Sequence, residues 1–387
     1  MRCLLTALAT GMASTAMLVA GPFTATAAAQ GSGSPVGGAL LTAEPKVVAD
    51  GATPPPVHAA SYVLADLTTG TVLAAKAPHA KLRPASTLKT LTALVLLPRL
   101  TKTDVLVGTD EDAGIEGSKV GISPGLRYSV DLLFQGMFLA SGNDAVHALA
   151  NHDAGGIPAT TQRMNKLAGQ LGALDTHVTD PTGLDADGQY SSAYDLALFA
   201  QAGLARPDFA KYAGTKYTTF PLAKTGTYQV ANQNRLLFGY DGALGVKTGY
   251  TTLARNTFVG AARRGGHTLV VTLMNSPHGI TEDASSLLDW GFLHYDALNP
   301  IGTLVKPAVP APATGKSREV ERKAVERPTL PKRSRTVLAS GQAVQGIVYR
   351  IPVWAYAAPP ILLLSLFLRR PRALRIRNRR STRSRRH

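Results

Sequence analysis

The sequence predicts an α+β fold in which one antiparallel sheet is covered by helices. Two observations carry that expectation: strand patterns at both ends of the central region and helical patterns between them. Strands that bracket a run of helices, rather than alternating with them, pair with one another as an antiparallel sheet that the helices cover.

The first strand pair is "SYVLADLTTGTVLAAKA", where apolar and polar residues alternate on either side of Thr68-Thr69-Gly70, the pattern of a hairpin. Next comes "PASTLKTLTALVLLP", Pro84 to Pro98, apolar on nearly all sides and therefore a helix of the interior. Helical periodicity follows around 130–150, 161–172 and 192–204. "NTFVGAARRGGHTLVVTLMN" then supplies two strands joined at Arg264-Gly265-Gly266, and "SSLLDWGFLHY" reads as a closing helix.

The flanks have other tasks. Residues 1–29 carry Arg2, an apolar run and the small residues Ala25 to Ala29, the layout of a signal peptide, so the chain is expected to be exported. Residues 30–57 read as a Gly/Pro/Ala-rich spacer, 58–300 as the catalytic domain and 301–345 as a basic, Pro-rich linker. The uncharged run Ile351 to Leu368, inside an expected anchor at 346–368, is long enough to span a bilayer, and the Arg-rich tail 369–387 marks its cytoplasmic side. Pro352, Pro359 and Pro360 also fit a segment lying along the membrane surface.

The formal charge of +16 is concentrated in Arg2, residues 301–350 and the tail, which leaves −2 for residues 31–300. The domain is therefore no nucleic-acid binder. Cys3, the only cysteine, falls within the signal peptide, so the mature domain lacks disulfide, thiol and thiolate chemistry. The nine histidines show no zinc spacing, and "DPTGLDADG" at Asp180–Gly188 lacks the spacing of a calcium loop and reads as a turn. No metal or cofactor is expected.

Lys89 is the only charge in the buried helix, and burying an ammonium without a partner costs several kcal/mol. Ser86 precedes it by three residues and lies on the same face. Taken alone, the pair also fits an N-cap serine and a lysine snorkelling to solvent. The alternative is catalytic: a neutral lysine can take the serine proton and make the oxygen a nucleophile. At an unperturbed pKa, only roughly 1 lysine in 2,500 is neutral at pH 7, so the site must desolvate Lys89 or surround it with positive charge.

Two further motifs decide between these readings. Ser141-Gly142-Asn143 ends an apolar helical stretch and is the only Ser-x-Asn of the chain. Lys-Thr-Gly occurs twice, at 224 and 247. The 247 copy precedes the closing strand pair and belongs on a sheet edge, whereas the 224 copy lies in a polar stretch after Pro221 and reads as surface. The ordered set Ser-x-x-Lys, Ser-x-Asn, Lys-Thr-Gly is that of penicillin-binding proteins and class A β-lactamases.

With the surrounding segments, "EGSKVGISPGLRYSVDLLFQGMFLASGNDAVHALA" and "NQNRLLFGYDGALGVKTGYT" among them, residues 58–295 resemble the low-molecular-mass penicillin-binding proteins that act as D-alanyl-D-alanine carboxypeptidases. The resemblance implies a β-lactamase or penicillin-binding transpeptidase-like fold with a helical subdomain beside the sheet. It implies Ser86 as the acylated nucleophile, Lys89 as its base and Ser141 as proton relay to the leaving group. Asn143 would bond the substrate amide, Lys247 and Thr248 would hold the terminal carboxylate next to Gly249, and the Ser86 and Tyr250 N–H groups would form the oxyanion hole. The implied partners are peptidoglycan stem peptides, β-lactams as covalent inhibitors, and the membrane through the C-terminal segment. Asn256 departs from the family, which often has cysteine there. A class A-like β-lactamase, a transpeptidase and a non-catalytic wall-binding protein remain open at this point.

Overall fold

The computed structural model describes residues 34–221 and 226–306. The expected signal peptide, the anchor, the Arg-rich tail, most of the linker and Lys224 lie outside the described residues.

In chain order the elements begin with β1 (Val47–Ala49), β2 (Ser61–Asp66) and β3 (Thr71–Lys76), then a 3₁₀ turn (Ala85–Leu88) running into α1 (Lys89–Leu96). β4 (Val105–Val107), α2 (Asp110–Gly114), β5 (Arg127–Ser129), α3 (Val130–Leu139), α4 (Asn143–His152) and α5 (Gly156–Gln170) follow. The chain continues through α6 (Ala193–Leu204), α7 (Pro207–Gly214), the pair β6 (Tyr217–Pro221) and β7 (Thr227–Ala231), and α8 (Leu236–Gly239). It closes with β8 (Ala243–Thr251), β9 (Arg255–Arg264), β10 (His267–Ser276), α9 (Ile280–Leu293) and β11 (Gly302–Thr303).

The main sheet runs β1-β3-β2-β10-β9-β8, with β11 also paired to β3, and each pairing is antiparallel. The two hairpins expected from sequence therefore meet through β2 and β10 in its centre. Both strands are covered on both faces, because successive side chains point to opposite sides and apolar residues occupy both. Val63, Ala65, Val270 and Met274 join the apolar cluster under the helices, while Tyr62, Leu64, Leu269, Val271 and Leu273 join a second cluster closed by Leu287, Leu288 and Trp290 of α9.

The helical side starts and stops where its side chains dictate. Ser129 and Ser192 accept hydrogen bonds from Leu132 N and Asp195 N at 3.1 Å each and so cap α3 and α6. Thr109 and Asp112 make a reciprocal capping box on α2. Every residue of α1 is buried, as its all-round apolar sequence requires, and α1 touches α3, α4, α5 and α6.

The spacer expected at 30–57 is, from residue 34 on, part of the domain, and so is the beginning of the expected linker. Val47–Ala49 pairs with Ala74–Lys76, Gly302 and Thr303 pair with Val72 and Thr71, and Leu41, Ile301 and Leu304 are buried. These strands of two or three residues carry too little alternation to register as strands, yet they cover the outer edge of β3. The opposite edge of the sheet, β8, has no strand beyond it among the described residues.

Candidate active site

The open edge of β8 faces the 3₁₀ turn that carries Ser86. Gly249 permits the approach: a Cβ there would stand 2.8 Å from Ser86 N and 2.9 Å from Thr87 N. Pro84 O accepts hydrogen bonds from Thr87 Oγ1 at 2.5 Å and from Thr257 Oγ1 of β9 at 2.8 Å, which ties the turn to the sheet. Ala85 adopts φ 47°, a left-handed conformation unusual for a residue with a Cβ.

Ser86 and Lys89 are one turn apart, and the lysine points back to the serine. Lys89 Nζ lies 2.7 Å from Ser86 Oγ, 2.7 Å from Asn143 Oδ1 and 2.6 Å from Thr182 O, and the side chain is buried. Asn143 Nδ2 donates to Glu116 O at 2.7 Å, which turns its amide oxygen toward the lysine. The two carbonyl oxygens can only accept. A neutral amine has two protons and one lone pair, so those protons go to Asn143 and Thr182 and the lone pair faces the serine hydroxyl.

Burial lowers the Lys89 pKa to about 7, with the Asp180 and Asp144 carboxylates pulling in the opposite direction. Both acids are held in place by backbone. Asp144 accepts from Val120 N, Gly121 N and Ile122 N at 2.7–3.0 Å, pinning the segment beside Ser118 to α4. Asp180 Oδ1 accepts from Thr182 N at 2.8 Å and Gly183 N at 3.1 Å. This is the turn expected in "DPTGLDADG", and it aims Thr182 O at the lysine. Gly183, at φ 85°, sits where a Cβ would overlap Ala85 O, so the turn packs directly on the turn that carries Ser86.

Ser141 lies between α3 and α4 with φ 59°, nearly buried, and borders the cleft. The cleft has a volume of about 380 Å³ and is also bordered by Ser86, Ser118, Gln233, Arg235, Thr248, Gly249, Tyr250, Asn256, Thr257 and residues 279–282. Lys247 does not border it. Its ammonium is buried and donates to Thr248 O at 2.8 Å, and burial together with the neighbouring Lys89 charge holds its pKa well below the ordinary lysine value.

Residues 48–278 match the family described as D-alanyl-D-alanine carboxypeptidase, peptidase S11. The chain belongs to that family. Its members are serine hydrolases, and the α+β fold and the enzyme class expected from sequence both stand. The chain is 42% identical over 252 residues to D-alanyl-D-alanine carboxypeptidase DacB2 of Mycobacterium tuberculosis, a match covering 62% of this chain and 84% of that protein. It spans just under two thirds of the Bacillus subtilis carboxypeptidase DacF. Among solved structures, the D-alanyl-D-alanine carboxypeptidase of Mycobacterium tuberculosis H37Rv superposes with a TM-score of 0.61 at 40% identity, covering 66% of this chain and 97% of that one. The Streptomyces K15 DD-transpeptidase superposes with a TM-score of 0.59 at 30% identity, covering 62% and 100%.

Within this carboxypeptidase, six of the eight residues singled out from sequence lie either at the cleft (Ser86, Ser141, Thr248, Gly249, Tyr250) or, as Asn143, against the lysine; the other two, Lys89 and Lys247, are buried. Asn256, the departure from the family, donates to Ser276 O at 2.9 Å and borders the cleft. Sequence reasoning missed Ser118, Gln233, Arg235, Thr257 and Glu282, which no local motif marks, and it did not foresee the Thr182 carbonyl.

Proposed function

We propose that Ser86 attacks the carbonyl between the last two D-alanines of a peptidoglycan pentapeptide, releases the terminal D-alanine and forms an acyl-enzyme that water hydrolyses. The observation that carries this reading is the 2.7 Å contact between Lys89 Nζ and Ser86 Oγ, with the other two lysine positions taken by carbonyls. Lys89 accepts the hydroxyl proton as the Oγ–C bond forms, and Ser141 passes a proton to the departing amine. Asn143 orients the substrate amide. Thr248 meets the terminal carboxylate, with Lys247 behind it supplying positive field. The Ser86 and Tyr250 N–H groups stabilise the tetrahedral oxyanion. β-Lactams acylate the same serine.

The catalytic domain works outside the cytoplasmic membrane in this reading. The signal-like residues 1–29 and the uncharged run Ile351–Leu368 with its Arg tail support export and C-terminal anchoring, spanning or interfacial. Among the described residues, no helix is long and apolar enough to cross a membrane. Mass spectrometry after exposure to labelled penicillin, with Ser86→Ala as control, and an assay for D-alanine released from a D-Ala-D-Ala peptide test the reaction. Likeness to the Streptomyces K15 DD-transpeptidase favours one second reading, transfer of the acyl group to an amine. Adding an amine acceptor to the same assay separates transfer from hydrolysis.

A further inference from the structure

The proposed reaction needs a cation that can meet the substrate's free carboxylate, and the third motif's lysine is poorly placed to be the first one. Lys247 pairs across the sheet with Val259, a member of the apolar cluster under the helices, so its side chain shares that face. There it is 1% exposed and donates to its neighbour's carbonyl. Thr248 pairs with Phe258 and shares the opposite face, that of the second cluster.

Leu236 belongs to this second cluster, and a Cβ at Gly260 would stand 3.1 Å from Leu236 Cδ1. Arg235 precedes it and therefore emerges on the Thr248 side of the edge strand, where it borders the cleft. Its backbone is fixed. Asn232 Oδ1 accepts from Asn234 N at 2.9 Å and Asn234 Oδ1 accepts from Leu236 N at 3.1 Å, with both asparagines buried. The Arg235 side chain itself is exposed and makes no ion pair or hydrogen bond among the described residues. Glu282, the acid bordering the same cleft, repels a carboxylate and directs it away from α9.

We propose that Arg235, together with the Thr248 hydroxyl, is the specificity-determining residue that receives the C-terminal carboxylate of the substrate. A guanidinium matches that group with two parallel N–H donors, which a buried ammonium turned onto a backbone carbonyl cannot present. The assignment rests on the carboxypeptidase reading.

The test compares ligands that differ only in this carboxylate: benzylpenicillin and its methyl ester, scored by the second-order rate of covalent labelling, with KM and kcat for D-alanine release measured beside them. Arg235→Ala is expected to lower labelling by the acid about 10- to 100-fold more than labelling by the ester, the scale of a lost charge-assisted hydrogen bond. KM should rise more than kcat falls, and Arg235→Lys should recover part of the difference. Equal losses for acid and ester, or an unchanged ratio in Arg235→Ala while Lys247→Ala abolishes it, would overturn the assignment. A wild-type enzyme that labels with penicillin but releases no D-alanine would instead refute the carboxypeptidase reading, and the acid-to-ester ratio would still decide for or against Arg235.

Discussion

Lys89 Nζ and Ser86 Oγ are 2.7 Å apart, and the lysine's remaining hydrogen-bonding directions end on Asn143 Oδ1 and Thr182 O. The carbonyls fix which way the amine lone pair points, and burial makes the lone pair available near neutral pH. This geometry supports the proposed roles of Lys89 as base and Ser86 as nucleophile.

Ser86→Ala should therefore abolish both penicillin labelling and D-alanine release while leaving thermal unfolding close to wild type, because the hydroxyl's one side-chain partner is the lysine at the cleft. Labelling that survives in this variant, read by intact-protein mass spectrometry, would move the nucleophile elsewhere.

The pH profile follows from the same lysine. Only neutral Lys89 can accept the serine proton, so the acylation rate should rise about tenfold per pH unit below a midpoint near 7 and level above it. Asp180 raises this pKa, so Asp180→Asn should move the midpoint to lower pH. A profile flat from pH 6 to pH 10, or a shift of the opposite sign, would remove Lys89 as the base.

The parts of this arrangement that local sequence encodes were legible in it. Ser86 and Lys89 share a helical turn, Lys247 to Tyr250 share a strand, and the closing strand pair is marked by the turn at Arg264-Gly265-Gly266 between two apolar runs. The rest depends on long-range contacts. Thr182 O is a backbone atom 93 residues from the lysine it bonds, and neither its identity nor its spacing marks it. Arg235 and Glu282 reach the cleft only because α8 and α9 both pack on the outer face of the sheet. The burial of Lys247 was hidden for a related reason: a strand shows which residues share a face, but the layer covering that face comes from elsewhere in the chain.

Gly249 tests the contact between the edge strand and the Ser86 turn. A methyl group there would press on Ser86 N and Thr87 N, atoms of a turn also held by Thr257. Gly249→Ala should lower the acylation rate by at least about a hundredfold, the loss expected when an oxyanion donor is displaced, and should lower the melting temperature. Wild-type acylation in a folded variant would show that Ser86 N–H does not need its present position.

The two Lys-Thr-Gly copies should behave differently. Lys247→Ala removes a buried amine that donates to Thr248 O, and should reduce acylation by about 10- to 100-fold. Lys224→Ala should leave labelling and D-alanine release within about twofold of wild type, as a substitution away from the site does. Equal losses from the two would mean that the 224 segment also reaches the substrate.

The fate of the penicilloyl enzyme depends on whether any carboxylate can activate water beside Ser86. A class A β-lactamase uses a glutamate between its second and third motifs, and here the sequence has none between Glu116 and Glu282. Asp144 has its oxygens engaged by the backbone of residues 120–122, and Asp180 is committed to the turn that aims Thr182 O. Asp195 is buried at the start of α6, bonded to Asp175 N and Thr176 Oγ1. Among the described residues, Glu282 is the one acid that borders the cleft, from the first turn of α9. Benzylpenicillin should accordingly form an acyl-enzyme that lasts minutes or longer, alongside turnover of a D-Ala-D-Ala peptide, and Glu282→Gln should not lengthen that lifetime. Rapid steady-state penicillin hydrolysis that Glu282→Gln abolishes, with no D-alanine released from peptide, would assign water activation to Glu282 and make the enzyme a β-lactamase.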